Sequence, residues 1–199
     1  MNPHTNQGHT LYFSAKSTSP CYGVGVKKEY IASSSVQTKK IARSLAPLIL
    51  KKQAQKHALI IALEGELGSG KTTFLQGFAR GLGIKEKILS PTFIIYKKLQ
   101  IPNSKSQTNS KFYFYHIDCY RIKKPKELLD LNFKELSSNP QNIIVIEWAD
   151  KIKKIIPRNT LWLKFEFINE KTRKITFRNF QLYATIKKWQ KRKKKIRKG

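Results

Sequence analysis

The 199-residue sequence predicts an α/β domain in which helices flank a mixed, mostly parallel β-sheet that ends in late antiparallel strands. Three observations predict this class. Short, continuous apolar runs alternate with segments whose apolar residues recur at helical spacing, as in parallel α/β sheets. The last two strand-like segments instead alternate apolar and polar residues, which is typical of an antiparallel pair. A glycine-rich segment separates the first apolar run from the helix that follows it.

The first half of the domain contains a helix, a strand and a second helix. The segment SVQTKKIARSLAPLILKK has apolar residues at helical spacing and predicts the first helix. The run ALIIALEG, at 58–65, is continuous and apolar and ends in glycine, which indicates a buried strand. The segment TTFLQGFARGLGI again has helical spacing, and Gly83 predicts the end of this helix.

The second half contains five more strands and one helix. KILSPTFIIYKKL predicts a strand after Pro91, before a polar loop at 102–111. Two further strands are predicted from FYFYHID and NIIVIEW, and each carries a carboxylate near its end. Between them, one helix that starts near Pro125 is predicted from KPKELLDLNFKEL. TLWLKFEF and RKITF predict the antiparallel pair.

The chain divides into three parts. Residues 1–30 are rich in Ser, Thr, Gly and Asn, which predicts a disordered N-terminal extension. Residues 31–178 are predicted to form the domain, and residues 179–199 a basic C-terminal tail. No segment is long and apolar enough to span a bilayer, and the N-terminus has no hydrophobic signal region. Two cysteines cannot make a disulfide framework. We therefore expect a cytoplasmic protein without a membrane partner.

The net charge is unusually high. Forty Lys and Arg residues against 12 Asp and Glu residues give a formal charge of +28. Such a charge attracts nucleic acid or another polyanion. A genome-wide lysine bias, with lysines scattered over solvated faces, is the alternative. The block KKWQKRKKKIRKG at 187–199 is concentrated, and contact of this tail with RNA or an acidic partner is as well supported as a disordered tail.

The glycine-rich segment GELGSGKT, at 65–72, matches the pattern G-x-x-x-x-G-K-[ST] in full. Between a buried strand and an amphipathic helix, such a loop turns backbone N–H groups inward to bind phosphate. In this pattern the lysine reaches the β- and γ-phosphates of a nucleoside triphosphate, and the last hydroxyl ligates Mg²⁺. The sequence therefore predicts a P-loop NTPase fold, with a nucleotide contacted by Glu66, Leu67, Gly68, Ser69, Gly70, Lys71 and Thr72.

Phosphoryl transfer also needs carboxylates near Mg²⁺, delivered by strands beside the loop. Asp118 and Glu147 are so placed, although either could instead be a solvated residue at a strand exit or a helix cap. The chain has neither the NKxD-like base reader of GTPases nor the LSGGQ-like signature of transporter ATPases. A small-molecule kinase that uses Asp118 as base and Arg121 on phosphate stays open.

Four separated motifs carry a resemblance. LEGELGSGKTTFLQGFARGLGI, SPTF, YHIDCYR and IEWADKI, in this order and spacing, resemble the bacterial TsaE (YjeE) family, the P-loop ATPases of tRNA threonylcarbamoyladenosine (t6A) biosynthesis. The similarity spans roughly Val36 to Phe177. It implies slow, Mg²⁺-dependent ATP hydrolysis in a complex with the TsaD and TsaB proteins, which transfer threonylcarbamoyl to adenosine 37 of tRNA. Contact with tRNA would be indirect or through the basic tail.

The resemblance also implies site residues. Thr73 would lie beside the phosphates, and Ser90, Pro91 and Thr92 match a segment that resembles a switch loop near the γ-phosphate. The two acids of the family fall on Asp118 and Glu147. The resemblance thus implies a catalytic set of Asp118, Glu147 and Lys71, a metal set of Thr72, Asp118 and Glu147, and nucleotide contacts that include Thr92 and Trp148.

The motif HxDxYR falls on His116, Asp118, Tyr120 and Arg121. Arg121 could contact phosphate or a partner, whereas we expect His116 to be a structural hydrogen-bonding residue. Trp148 has an alternative role in core packing at the sheet edge. The sequence departs from the family pattern at Cys119, where Leu is frequent, and at Asn132, where Gly is usual. Asn tolerates the same left-handed backbone, so the site is not put in doubt.

Overall fold

The computed structural model describes residues 28–50, 56–90, 95–102 and 111–178. The strands are β1 (Lys28–Ala32), β2 (Leu59–Glu64), β3 (Tyr96–Gln100), β4 (Tyr113–Asp118), β5 (Asn142–Glu147), β6 (Leu161–Phe167) and β7 (Arg173–Arg178). The helices are α1 (Ser35–Leu50), α2 (Lys71–Gly81), α3 (Lys126–Leu129) and α4 (Phe133–Ser138). A 3₁₀-helical segment follows β5 at Ala149–Ile155.

The strands form one sheet in the order β1-β7-β6-β2-β5-β4-β3. The four central strands, β6, β2, β5 and β4, are parallel, and β7, β1 and β3 add antiparallel strands at the two sides. This confirms the predicted parallel core and the late antiparallel pair. In this register Asp118 pairs with Glu147, and Glu147 with Leu63, so both carboxylates lie beside the strand that enters the glycine-rich loop.

Helices cover both faces of the sheet. One core cluster joins α1 and α2 to the sheet, and its largest buried side chains are Phe74, Phe78, Phe114 and Phe165. The other lies under α3, α4 and the 3₁₀ segment. The aromatic rings of Phe74 and Phe165 meet edge to face at 5.5 Å, which fixes α2 against β6. None of the described helices combines the length and apolar character that a bilayer crossing requires.

Helices α1 and α2 cross at unusually short range. A Cβ atom at Gly77 would lie 2.5 Å from the Lys39 carbonyl oxygen, and one at Gly81 2.6 Å from that of Arg43. Only glycine fits at these two positions, because real Cβ atoms do not approach backbone oxygen so closely. The start of α1 is held by Ser34, whose hydroxyl accepts the Gln37 N–H at 3.1 Å. The two helices are therefore locked together as a pair.

The helix predicted from Pro125 onward is in fact two helices, α3 and α4. Asn132 between them has a left-handed backbone (φ 59°), which ends the first helix and begins the second. A side chain with a local hydrogen-bonding amide tolerates this conformation better than other non-glycine residues. The prediction of one continuous helix was wrong for this reason.

Strand β1 was not predicted. It includes residues 28–30, which the sequence analysis assigned to the extension, and it pairs with β7 from Lys28↔Phe177 to Ala32↔Arg173. The predicted strand after Pro91 is described from Tyr96 onward; residues 91–94 lie outside the described residues. The rest of the predicted extension and the basic tail at 179–199 also lie outside them.

Candidate functional site

The loop between β2 and α2 has the backbone that the motif requires. Gly65, Gly68 and Gly70 all have positive φ, at 143°, 72° and 99°. A Cβ at Gly65 would lie 2.5 Å from the Phe165 carbonyl oxygen, so this position excludes any side chain. Leu67 is 80% exposed, so any role in nucleotide binding falls to its backbone. The loop is thus shaped by backbone conformation that glycine alone adopts at low cost.

Helix α2 presents its N-terminus at the end of this loop. Its N-cap is Gly70, which makes no side-chain cap, and the first turn carries no acidic residue. The first N–H groups of a helix have no partner within the helix, and the helix dipole is positive there. Thr72 and Thr73 lie half-buried in this first turn. The arrangement is suited to an anionic phosphate.

Lys71 is buried inside the loop, with 4% of its surface exposed. Its ammonium nitrogen Nζ donates to the carbonyl oxygens of Gly65 at 2.7 Å and Glu66 at 2.8 Å. Burial lowers the pKa of Lys71, and nearby carboxylates, Glu147 foremost, act against this shift. The ring of Trp148 covers the ammonium group, with its centroid 4.0 Å from Nζ.

Glu147 lies at the end of β5 with 2% of its surface exposed, and both of its carboxylate oxygens are engaged. Oε2 accepts a hydrogen bond from the Thr72 hydroxyl at 2.8 Å, and Oε1 lies 3.0 Å from His116 Nε2. His116 is completely buried, in agreement with its expected structural role. The histidine thus orients the carboxylate, and the carboxylate points at the hydroxyl predicted to ligate Mg²⁺.

Asp118, at the end of β4, is half-buried beside Glu147. Its Oδ1 accepts the Tyr120 backbone N–H at 2.9 Å, and its Oδ2 accepts a short hydrogen bond from the Ser90 hydroxyl. Ser90 is the first residue of the segment that the sequence analysis likens to a switch loop. Pro91 and Thr92, the rest of that segment, lie outside the described residues, so the predicted nucleotide contact of Thr92 stays a prediction.

The donor set fits a magnesium ion. Mg²⁺ is octahedral with ligands at about 2.1 Å, so two adjacent ligand oxygens lie about 3 Å apart. The Thr72 hydroxyl and Glu147 Oε2, 2.8 Å apart, have this separation. The part of the chain that the structure describes holds no group of three His, Cys, Asp or Glu side chains suited to a metal ion.

Trp148 joins the two halves of the site. Its backbone is left-handed (φ 56°), a costly conformation for a residue with a large side chain. The indole lies against the Tyr120 ring, with centroids 5.1 Å apart, and against the Lys71 ammonium group, and Lys151 Nζ lies 6.0 Å from its centroid. Strained backbone persists where the surrounding structure requires it, frequently at functional sites. Trp148 thus contacts the Lys71 ammonium group and also packs against the core cluster under the 3₁₀ segment, and its nucleotide contact stays a prediction.

Arg173, at the start of β7, is a site residue that sequence reasoning missed. Its guanidinium donates to the Gly68 carbonyl oxygen from Nη2 at 3.1 Å and from Nε at 3.3 Å. The same group lies over the Phe167 ring, 4.5 Å from its centroid, and Nη1 donates to the Asn169 carbonyl. The β6–β7 hairpin is thereby attached to the centre of the glycine-rich loop. No local motif signals this contact, because 105 residues separate the partners.

We expect Arg173→Ala to weaken Mg·ATP binding about tenfold, because a charged hydrogen bond that holds the loop is worth about 1.5–3 kcal/mol and part of it is screened by solvent. Isothermal titration calorimetry measures this change. Lys174→Ala is the matched control: Lys174 is the next residue and pairs with Glu29 and Glu166 instead. Equal affinity of the wild type and both variants would show that Arg173 does not hold the loop.

The structure brings most of the predicted site residues that it describes into one group. Lys71, Thr72, Glu147 and Trp148 form one connected group, and Asp118 lies next to it through the sheet register. Arg121 is exposed after β4 and lines a depression with Tyr120 and Lys151. Its contact with phosphate stays a prediction.

Comparisons with known proteins agree on one family. A family model described as threonylcarbamoyl adenosine biosynthesis protein TsaE matches residues 32–175. The chain is 36% identical over 118 residues to the tRNA threonylcarbamoyladenosine biosynthesis protein TsaE of Bacillus subtilis, which covers 59% of this chain and 68% of that protein. It is 33% identical over 144 residues to the protein of the same name from Rickettsia felis, which covers 72% and 75%.

A solved structure has the same fold. The crystal structure of YdiB from Bacillus subtilis matches with a TM-score of 0.61 and 27% sequence identity, over 85% of this chain and 97% of that chain. The range matched by the family model contains the phosphate loop, both acids, Trp148 and Arg173. The comparisons therefore cover the whole site described above.

Proposed function

The chain belongs to the TsaE family, and from this premise we propose that it is the ATP-binding and ATP-hydrolysing component of t6A synthesis on tRNA. In this proposal it acts in the cytoplasm, with Mg²⁺, together with the TsaD and TsaB proteins. The observation that carries the ATPase proposal is the hydrogen bond from Thr72 to Glu147, directly beside Lys71. It joins the phosphate-binding loop to a buried acid at the position where P-loop NTPases hold Mg²⁺.

The loop and the start of α2 supply nucleotide binding. The N–H groups of the first turn of α2 donate to phosphate oxygens, and Lys71 adds a positive charge between the β- and γ-phosphates. Thr72 and Glu147 provide the oxygens for Mg²⁺, which when bound neutralises charge that develops on the phosphoryl oxygens. Because Thr72 and Glu147 come from the start of a helix and the end of a central strand, their oxygens are aligned before the reaction begins.

The two acids have different roles in this proposal. Glu147 is oriented by His116 and points at Thr72, which suits a metal ligand. Asp118 is half-exposed and is held by Ser90 of the switch-like segment, which suits the orientation of the attacking water. In this role the Asp118 carboxylate accepts a proton from the attacking water and acts as a general base.

The contacts of Lys71 give a reason for weak hydrolysis by the chain alone. Two loop carbonyls hold its ammonium group, and the Trp148 ring covers it. A phosphate must compete with these contacts, so only a fraction of the molecules presents Lys71 to the nucleotide at any time. Tyr120, whose ring lies against Trp148, is 52% exposed. A partner protein that moves this aromatic pair would raise that fraction.

Affinity capture tests the proposal. We expect the tagged chain to retain TsaD and TsaB from a bacterial lysate, and to retain more of both with Mg·ATP than without nucleotide, as measured by quantitative mass spectrometry. Lys71→Ala is the matched control, because it removes the response to ATP without altering an exposed surface. Retention of neither protein, with appearance of a phosphorylated small molecule, would favour the kinase alternative that uses Asp118 as base.

A further inference from the structure

A groove between α1 and α2 carries a concentrated positive charge. It lies on the face of the sheet that these two helices cover, and Trp148 packs on the other face. The volume of the groove is about 850 Å³, and Val36, Gln76, Gly77 and Ile88 form its uncharged lining. Three cations come from α1, one from the last turn of α2 and one from the segment after it. These five are Lys39, Lys40, Arg43, Arg80 and Lys87.

The groove has almost no negative charge to offset these cations. Neither α1 nor α2 contains a single Asp or Glu. The one acid in the lining, Glu86, is paired with Lys97 at 2.5 Å. All five cations are exposed, and within the described part of the chain none of them forms a salt bridge. Their charge is therefore available to an external anion.

The described α-helices of the opposite face do not share this excess of positive charge. On the opposite face of the sheet, residues 126–138 cover α3, α4 and the turn between them. They contain two lysines and three acids, which are Lys126, Lys134, Glu127, Asp130 and Glu135. Charges there are interleaved, as is usual on solvated helices. Among the described α-helices the excess of positive charge is thus confined to α1 and α2. The 3₁₀ segment on the opposite face carries Lys151, Lys153 and Lys154 against Asp150.

The helix crossing creates the shape of the groove. Because Gly77 brings α2 into contact with the Lys39 backbone, cations of both helices border one narrow channel. Its lining contains no aromatic side chain on which a base could stack. A groove with cationic walls and no stacking platform matches a sugar-phosphate backbone, which carries a regular series of charges and is bound without reading bases.

We propose that the α1–α2 groove binds the phosphate backbone of RNA and, resting on the function proposed above, that this RNA is tRNA. Arg80 lies nine residues after Lys71, which is roughly 13 Å along the helix, so the groove and the phosphate loop are separate parts of one element. Bound RNA and bound nucleotide would then contact the same helix at different points. Substitutions in the groove can therefore leave nucleotide binding intact.

The test compares two triple variants of the full chain that lose equal charge. The groove variant is Lys39→Gln, Lys40→Gln and Lys87→Gln; the control variant, on the opposite face, is Lys126→Gln, Lys134→Gln and Lys154→Gln. All six lysines are exposed. Fluorescence anisotropy with labelled tRNA gives the association constant K at several salt concentrations. The basic tail is present in both variants, so its contribution is the same in each.

We expect the groove variant to bind tRNA at least tenfold more weakly than the control variant at low salt. The slope of log K against log salt should fall in magnitude by about 2–3, since each lost phosphate contact removes about 0.7–0.9. Mg·ATP affinity and capture of TsaD and TsaB should equal those of the wild type, which separates this result from failure of the proposed function.

Three results would overturn the proposal. The first is a groove variant that retains the wild-type tRNA affinity and salt slope. The second is an equal loss of affinity in both variants, which would indicate a response to net charge alone. The third result is loss of TsaD or TsaB capture with unchanged tRNA affinity, which would assign the groove to an acidic protein surface.

Discussion

Lys71→Ala is expected to abolish ATP turnover and to weaken Mg·ATP binding about 10–100-fold, the range for loss of a charge-assisted hydrogen bond. In the wild type the ammonium group is the only cation inside the described part of the loop, and it is held between the Gly65 and Glu66 carbonyls. Alanine removes both the charge that meets the phosphates and the donor that orients these carbonyls. Calorimetry and phosphate release measure the two effects.

Controls separate the chemistry of Lys71 from damage to the fold. Lys71 is buried and bonds to the loop, so its removal leaves two carbonyl oxygens without this donor. The melting temperature of Lys71→Ala is therefore measured alongside its activity. Lys98→Ala, at an exposed position of β3, is the matched substitution remote from the loop. Unchanged ATP affinity and turnover in Lys71→Ala would exclude the phosphate-loop assignment.

Asp118→Asn and Glu147→Gln are expected to bind nucleotide while hydrolysis falls about 10²–10⁴-fold, a typical loss for a metal-orienting or proton-accepting group. Both substitutions keep the size of the side chain and remove its charge. Glu147→Gln replaces the oxygen pair that meets Thr72 and His116, so we also expect it to require more Mg²⁺. Asp118→Asn keeps an oxygen for the Tyr120 N–H, so it should leave the Mg²⁺ requirement closer to that of the wild type.

Glu166→Gln is the control for these substitutions. Glu166 is an acid on β6 whose side chain pairs with Lys164 and Lys174, neither of which belongs to the glycine-rich loop. Single-turnover hydrolysis with TsaD and TsaB present, at a series of Mg²⁺ concentrations, gives both the rate and the metal requirement. Wild-type rates in both Asp118→Asn and Glu147→Gln would assign these acids a structural role.

The central part of the fold could be predicted because its signals are local. The strands that became β2 and β5 are buried on both faces and therefore read as unbroken apolar runs, LIIALE and NIIVIE. Helix α2 follows a motif whose spacing alone defines its start. Strand β1, KEYIA, could not be predicted in this way. It alternates in burial and owes its position to pairing with β7, nearly 150 residues later.

The site shows the same division. Part of the candidate site could be predicted from the sequence, because P-loop chemistry places its residues at strand or helix ends. This part comprises the glycines, Lys71, Thr72 and the two acids. The cover of Trp148 over Lys71 and the contact of Arg173 with Gly68 could not be predicted, because both depend on how distant segments pack. The α1–α2 groove could be predicted only in part. Its lysines are evident in the sequence, but the close packing of the two helices at Gly77 and Gly81 is seen only in the folded chain.

The most direct test of the proposed function is phosphate release from γ-labelled ATP by the purified chain, with and without purified TsaD and TsaB, in the presence of Mg²⁺. We expect slow release by the chain alone, faster release with both partners, and no release above background for Lys71→Ala in either condition. A wild-type chain that releases no phosphate with both partners present, or that transfers the label to a small molecule, would contradict the assignment as the ATPase of t6A synthesis.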